Sequence, residues 1–99
     1  MKVRVTKRAQ AQIDRAATWW DDNRSLAPEA FDEDLSEAFS LLSVQPGIGV
    51  PVSSTRTPGV KRLHLARIHY FLYYRVHDDD VQVLRIWHTS RGSDPKPYS

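Results

Sequence analysis

The chain opens on an alternation of polar and apolar residues, Lys2-Val3-Arg4-Val5-Thr6, the period of a short strand with one face buried. The spacing then lengthens to that of a helix. Ala9, Ile13, Ala16, Ala17 and Trp20 fall on one stripe, while Arg8, Asp14, Arg15 and Asp22 fall mostly on the other side. Thr6 precedes the first turn, where its hydroxyl can accept a backbone N–H that the helix leaves unpartnered. Asn23-Arg24-Ser25 breaks the pattern, and Pro28 suits the first turn of a second helix, where its missing N–H costs little. Phe31, Leu35, Ala38, Phe39 and Leu42 make the apolar stripe of that helix. Asp32, Glu33, Asp34 and Glu37 make its solvated face, with negative charge near the positive end of the dipole. Gln45-Pro46-Gly47 ends it.

Residues 46–59 are rich in Pro, Gly, Ser and Thr and predict a loop with a short extended piece. The runs 60–65, 68–77 and 81–88 predict three strands, the last two joined by the acidic turn Asp78-Asp79-Asp80. On the middle run, His69, Phe71, Tyr73, Arg75 and His77 share one face. Ile68, Tyr70, Leu72, Tyr74 and Val76 share the other, which is expected to meet the core. Two prolines make 91–99 a loose tail. Two amphipathic helices with a short connection form an antiparallel hairpin, and their stripes need a sheet to cover them. The expected class is therefore α+β: an N-terminal strand, then a helical hairpin packed on a small, mainly antiparallel sheet of three C-terminal strands plus the first (β-α-α-β-β-β). One domain should span 1–99.

Composition narrows the function classes. The 99 residues are enough for one core. The chain has no cysteine, so disulfides and thiolate metal sites are excluded. No run approaches the roughly 20 apolar residues of a membrane span, and the start has no apolar stretch fit for a signal peptide, so a cytoplasmic location is expected. Residues 1–45 carry six Lys/Arg against eight Asp/Glu, a net of −2; residues 46–99 carry eight against four, a net of +4, together with all four histidines. A basic, histidine-bearing second half suits an acidic partner, nucleic acid or protein, although short basic strands also simply keep a sheet soluble.

The same half could in principle hold a metal-free ribonuclease site, which needs a base, an acid and a cation for the phosphorane charge. His69, His77, His88, Arg62, Arg67, Arg75, Arg91 and the tyrosines are the available groups. Strand alternation scatters them over both faces. His88 can equally end a strand and hydrogen-bond a neighbour. Arg75 can stack on Tyr73 or pair with Asp78 to Asp80. Trp20 fits the buried stripe of the first helix; Trp19 lies one position off it and is expected at the surface.

Several stretches taken in order resemble the RelE/ParE superfamily of bacterial toxins, and its ParE branch in particular. They are Trp19-Trp20, Pro46-Gly47-Ile48-Gly49, Arg62-Leu63, Tyr74-Arg75-Val76, Leu84-Arg85-Ile86-Trp87-His88 and Arg91. Ribosome-dependent ribonucleases of the superfamily carry an arginine in the strand where this chain has Phe71-Leu72-Tyr73-Tyr74, and YoeB-like members place a tyrosine after the strand-ending histidine, where this chain has Thr89. Phe71 cannot stabilise phosphate charge. The resemblance thus implies an inhibitor of DNA gyrase rather than an enzyme, with no catalytic residue, metal or cofactor. It also implies a ParD-like antitoxin with a ribbon-helix-helix domain, joined to the toxin in a hetero-oligomer, and nucleic acid met only through antitoxin or gyrase. An acidic, amphipathic antitoxin tail is expected along the helical hairpin and across the basic sheet. Arg62, Arg75, His88, Arg91 and Trp19 are the target-binding candidates. Ile13, Trp20, Phe31, Leu35, Phe39 and Arg67 are the antitoxin-binding candidates. A RelE-like mRNA interferase and a non-toxic antitoxin-binding module remain the alternatives.

Overall fold

The computed structural model describes residues 1–24, 27–53 and 56–91; of Arg91 only the backbone is described. Strand β1 (Lys2–Val5) leads into helix α1 (Lys7–Asn23), and α2 (Ala30–Val44) follows. A two-residue strand, β2 (Val50–Pro51), precedes β3 (Lys61–Leu65), β4 (Tyr70–His77) and β5 (Asp80–His88), and a 3-10 turn closes at Thr89–Arg91. The five strands form one mixed sheet in the order β1-β5-β4-β3-β2, with β1 parallel to β5 and every other pairing antiparallel. The expected α+β architecture is the observed one.

Thr6 caps α1 as its position implies, its hydroxyl accepting the N–H of Ala9 at 3.2 Å. Pro28 does not enter the second helix. It sits in a turn, and α2 starts at Ala30 with Glu29 as a cap whose side chain makes no bond there. Asp32 and Glu33 in the first turn supply the negative charge that favours this helix end. The core lies between the two helices and one face of the sheet. Ala9, Ile13, Ala16, Trp20, Phe31, Leu35, Ala38 and Leu42 meet Leu65, Leu72, Tyr74, Val81, Val83 and Ile86.

The alternation along the middle run holds for Ile68, Tyr70, Leu72 and Tyr74, although the strand itself begins only at Tyr70, and it fails at the far end. Ile68 is buried from the turn that precedes the strand, where His69 adopts a left-handed φ of 62°. Val76 is exposed, although its sequence parity is that of the core. Along β5 the parity changes midway. Tyr73 pairs with Arg85 but Tyr74 pairs with Val83, so Leu84 is an extra residue, a bulge. That single insertion lets Val83 and Ile86, three residues apart, both point into the core.

The bulge also settles how the edge of β5 is covered. β1 pairs with β5 only as far as Val83. Beyond that point the groups of α1 take over. Thr6 N–H donates to Val83 O at 3.1 Å, and Gln12 Oε1 accepts the Ile86 N–H at 3.0 Å. A strand edge left without a partner strand is thus met by the backbone of the cap residue Thr6 and by the helix side chain of Gln12.

Candidate functional site

The pairing registers place the sequence candidates in two groups. On the sheet face away from the helices, Arg62, Tyr73 and Arg85 are paired across three strands, and His64, Phe71 and Trp87 form the next row. The Arg62 guanidinium lies over the Phe71 ring, 4.2 Å from its centroid, and Arg85 lies 5.6 Å from that of Trp87. Both cations therefore rest on an aromatic π-face, where the ring quadrupole holds them. His64 packs against the other reach of Phe71 at 5.0 Å. Arg75 neither stacks on Tyr73 nor pairs with the acidic turn: its Nε donates to Gln82 Oε1 across the β4–β5 pair at 2.8 Å. Arg4 on the neighbouring strand takes Asp80 instead, at 3.5 Å.

His88 and Trp19 lie elsewhere. His88 pairs with Tyr70, so it sits on the helix side of the sheet, edge-to-face with the Tyr70 ring at 5.1 Å. Its Nδ1 accepts the Ser90 N–H at 3.2 Å and stands 2.7 Å from Ser90 Oγ. A backbone amide can only donate, so Nδ1 is the acceptor in that contact. Trp19, 42% exposed, stands on α1 beside the same end of the sheet, with the Arg24 guanidinium 5.2 Å from its ring. Gln12, Arg15, Ala16 and Trp19 from α1 and Tyr70, Ile86, Trp87 and His88 from the sheet line a cleft of about 290 Å³.

The five target candidates thus do not form one surface. Arg62 and Arg75 are on the open sheet face, while His88 and Trp19 share the cleft on the helix side. The Arg91 side chain lies outside the described residues, as does the tail 92–99.

Among the antitoxin candidates, Ile13, Trp20, Phe31 and Leu35 are core residues, each less than a tenth exposed. Trp20 Nε1 donates to Ala27 O at 2.8 Å, and its ring lies 6.3 Å from that of Phe31. These four have no surface to offer a partner. An apolar stripe at helical spacing looks the same whether a sheet or another protein covers it, and here the sheet does. Phe39 is half-buried against the core. Arg67 is exposed but engaged, at 2.9 Å from Asp34 and 3.6 Å from Glu33. Gln12 and Arg15 were not among the candidates; Arg15 reads as part of the solvated side of α1. With Trp19 they follow i, i+3, i+7 spacing, a polar–aromatic stripe beside the apolar one, and that was the available signal.

Tyr73 and Arg85 are buried on this face, Arg62, Phe71 and Arg75 are half-buried and His64 is exposed, so the face is only partly open, and the groups of a nuclease are not assembled there. Phe71 occupies the strand position at issue and is capped by Arg62, while His88 is on the opposite side of the sheet. Among the described residues no group of three or more His, Cys, Asp or Glu is placed to hold a metal, and no helix is long and apolar enough to cross a membrane.

A fold of this order, with a cationic aromatic sheet face and a helical layer on the other side, is that of the small toxins of toxin–antitoxin pairs. The family model described as the ParE toxin of the type II toxin–antitoxin system, parDE, matches residues 3–92, and the chain belongs to that family. A solved chain of the chromosomal ParDE system from P. aeruginosa is similar over 89% of this chain and 95% of its own length, with 27% identity and a TM-score of 0.69. No curated protein sequence matches.

Proposed function

We propose that this chain is a toxin that arrests DNA gyrase and is held inactive by a ParD-like antitoxin whose ribbon-helix-helix domain binds DNA. The observation that carries the choice of target class is Phe71 beneath Arg62. Where a nuclease of this scaffold needs a cation free to meet a phosphorane, the chain has an apolar ring with its cation spent on it, and the strand-ending imidazole is on the far face. What is left is a surface suited to gripping a macromolecule. The ParE family membership supports the gyrase target, and the ParDE relative supports the antitoxin. In this reading Arg62 and Arg75 belong to a target-facing surface, and toxin and antitoxin form a hetero-oligomer.

The deciding experiment is to co-express the chain with its neighbouring small gene, free it, and assay gyrase supercoiling and double-strand cleavage beside ribosome-bound mRNA. Inhibited supercoiling with trapped DNA breaks and intact mRNA is the expected result. Cut mRNA with unaffected gyrase makes the chain an interferase. Neither effect, together with antitoxin binding, makes it an inert binding module.

A further inference from the structure

We infer that the sheet face away from the helices is a docking groove for the chain's own segment 92–99, which sets its prolines and Tyr98 against Phe71, Tyr73 and Trp87 and its Asp94 on Arg85. The inference is independent of the toxin reading and concerns what covers that face.

An antiparallel sheet with one uncovered face leaves the side chains of that face open to water. Tyr73 departs from this. It is wholly buried, yet it stands outside the cluster that the helices cover. Arg85, its partner across β4–β5, is 8% exposed with an inaccessible Nε, and Trp87 Nε1 in the neighbouring row is inaccessible as well. Side chains of the sheet itself do not roof Tyr73. The Arg62 guanidinium lies over Phe71 and that of Arg85 beside Trp87, one row away. Both helices pack on the other face. Among the described residues no helix or strand crosses this side, so burial of an arginine and a phenol there calls for a further stretch of chain.

Position selects which stretch. The loop 52–60 closes at the far end, where the Val52 N–H donates to Val60 O at 2.9 Å beside Lys61. Trp87 lies in the row of His64, three residues further along β3. The chain leaves β5 at Trp87's own end, through the turn Thr89–Arg91. Six residues of strand, about 20 Å, separate Arg91 from Arg85, and eight residues in a polyproline conformation span about 25 Å.

Chemistry selects the same stretch. Gly92-Ser93-Asp94-Pro95-Lys96-Pro97-Tyr98-Ser99 loses two backbone donors to its prolines and keeps every carbonyl acceptor. The face supplies donors: the Arg85 guanidinium, the Trp87 indole N–H and the Tyr73 hydroxyl. Proline-rich segments dock in aromatic-lined grooves because their extended form costs little entropy to fix, and Phe71, Tyr73 and Trp87 make such a lining. Asp94 is the one acid in the segment. The carboxylates of the β4–β5 turn stand at the opposite end of the hairpin, where Asp80 meets Arg4 at 3.5 Å. A buried guanidinium is stable only beside an acceptor, and a carboxylate is the strongest.

The test uses the full chain, which has no cysteine, so Ser99→Cys takes a single nitroxide label. The three indole N–H signals report which side the label visits. Trp87 is expected to lose most of its intensity relative to the reduced label. Trp19, beside the same end of the sheet on the helix side, and Trp20, whose indole donates to Ala27 O, should keep theirs. Asp94→Lys in the labelled chain should restore the Trp87 signal, with circular dichroism and thermal melting confirming the fold of both variants. Equal losses at Trp87 and Trp19, no loss at Trp87, or a Trp87 loss that Asp94→Lys does not change overturns the inference.

Discussion

The hydroxyl of Tyr74, buried in the core, accepts the backbone N–H of Gly49 at 2.8 Å and so ties the loop after α2 to the centre of the sheet. The approach is close enough to exclude any side chain at 49. A Cβ there would stand 2.6 Å from Tyr74 Oη and 3.0 Å from Arg62 O. Tyr74→Phe leaves the Gly49 N–H buried without an acceptor and is expected to cost about 1–3 kcal/mol. Gly49→Ala must displace the ring or the loop and should cost at least as much. Urea unfolding of both variants measures it; a loss below about 0.5 kcal/mol in either would contradict the tie.

The same phenol gives the fold an alkaline limit. Burial pushes its pKa above the ordinary 10.0, and the Gly49 N–H, which favours the phenolate, offsets only part of that. The native state therefore holds the Tyr74 proton more tightly than the unfolded chain does. Its contribution is complete below pH 10.0 and declines as pH rises from there through the raised native value. Stability against urea should fall more steeply above pH 10 in wild type than in Tyr74→Phe. Parallel slopes would remove Tyr74 as the cause.

Much of this arrangement could be read from residue order. Thr6 before an apolar stripe announced α1, and the acidic turn between two aromatic runs announced the β4–β5 hairpin. The bulge at Leu84 was not legible, because neither Gly nor Pro marks it and each half of β5 alternates correctly by itself. Without it the row of Arg62, Tyr73 and Arg85 across three strands cannot be assembled on paper. The parallel pairing of β1 with β5 was equally silent, since a four-residue strand carries no signal for its partner. For the site, single side chains were easier than groupings. Trp19 was placed at the surface and Trp20 inside, but the separation of His88 from Arg62 by a sheet depends on register, which only the paired strands define.

The core assignment of Trp20 and Phe31 separates two reasons for losing antitoxin binding. Truncating either ring to alanine removes a buried aromatic, and Trp20→Ala also strips Ala27 O of its donor. Each should cost about 3–5 kcal/mol, enough to unfold much of the protein at moderate temperature. Any binding defect should then track the unfolded fraction and recover on cooling toward the stability maximum. A fully folded Trp20→Ala that still fails to bind would place the ring in an interface after all.

The β4–β5 turn carries a cost that a substitution can remove. Asp78 and Asp79 both adopt left-handed conformations, with φ of 51° and 65°, the pair of positive angles that a two-residue hairpin of the favoured twist demands. Aspartate tolerates this region but glycine enters it freely, and three successive carboxylates at 78–80 also repel. Asp79→Gly should stabilise the protein by about 0.5–1 kcal/mol, read as a higher Tm, the relief exceeding the extra freedom glycine gives the unfolded chain.

Restoring an arginine at position 71 tests whether one missing cation is all that separates this chain from the ribonucleases it resembles. Phe71→Arg removes the ring under Arg62 and sets a second guanidinium beside the first, at a spot where 4.2 Å now separates cation and ring. Two like charges there repel, and His64 loses its packing partner as well. Even a folded variant would have its new cation on the open face while the His88 imidazole stays on the helix side, beside Tyr70. No base and cation then converge on one phosphate, and general acid–base chemistry requires hydrogen-bond reach. Phe71→Arg is expected to leave ribosome-bound mRNA intact in a primer-extension assay. Cleavage by that single variant would mean that catalysis on this scaffold does not use the histidine at the end of β5.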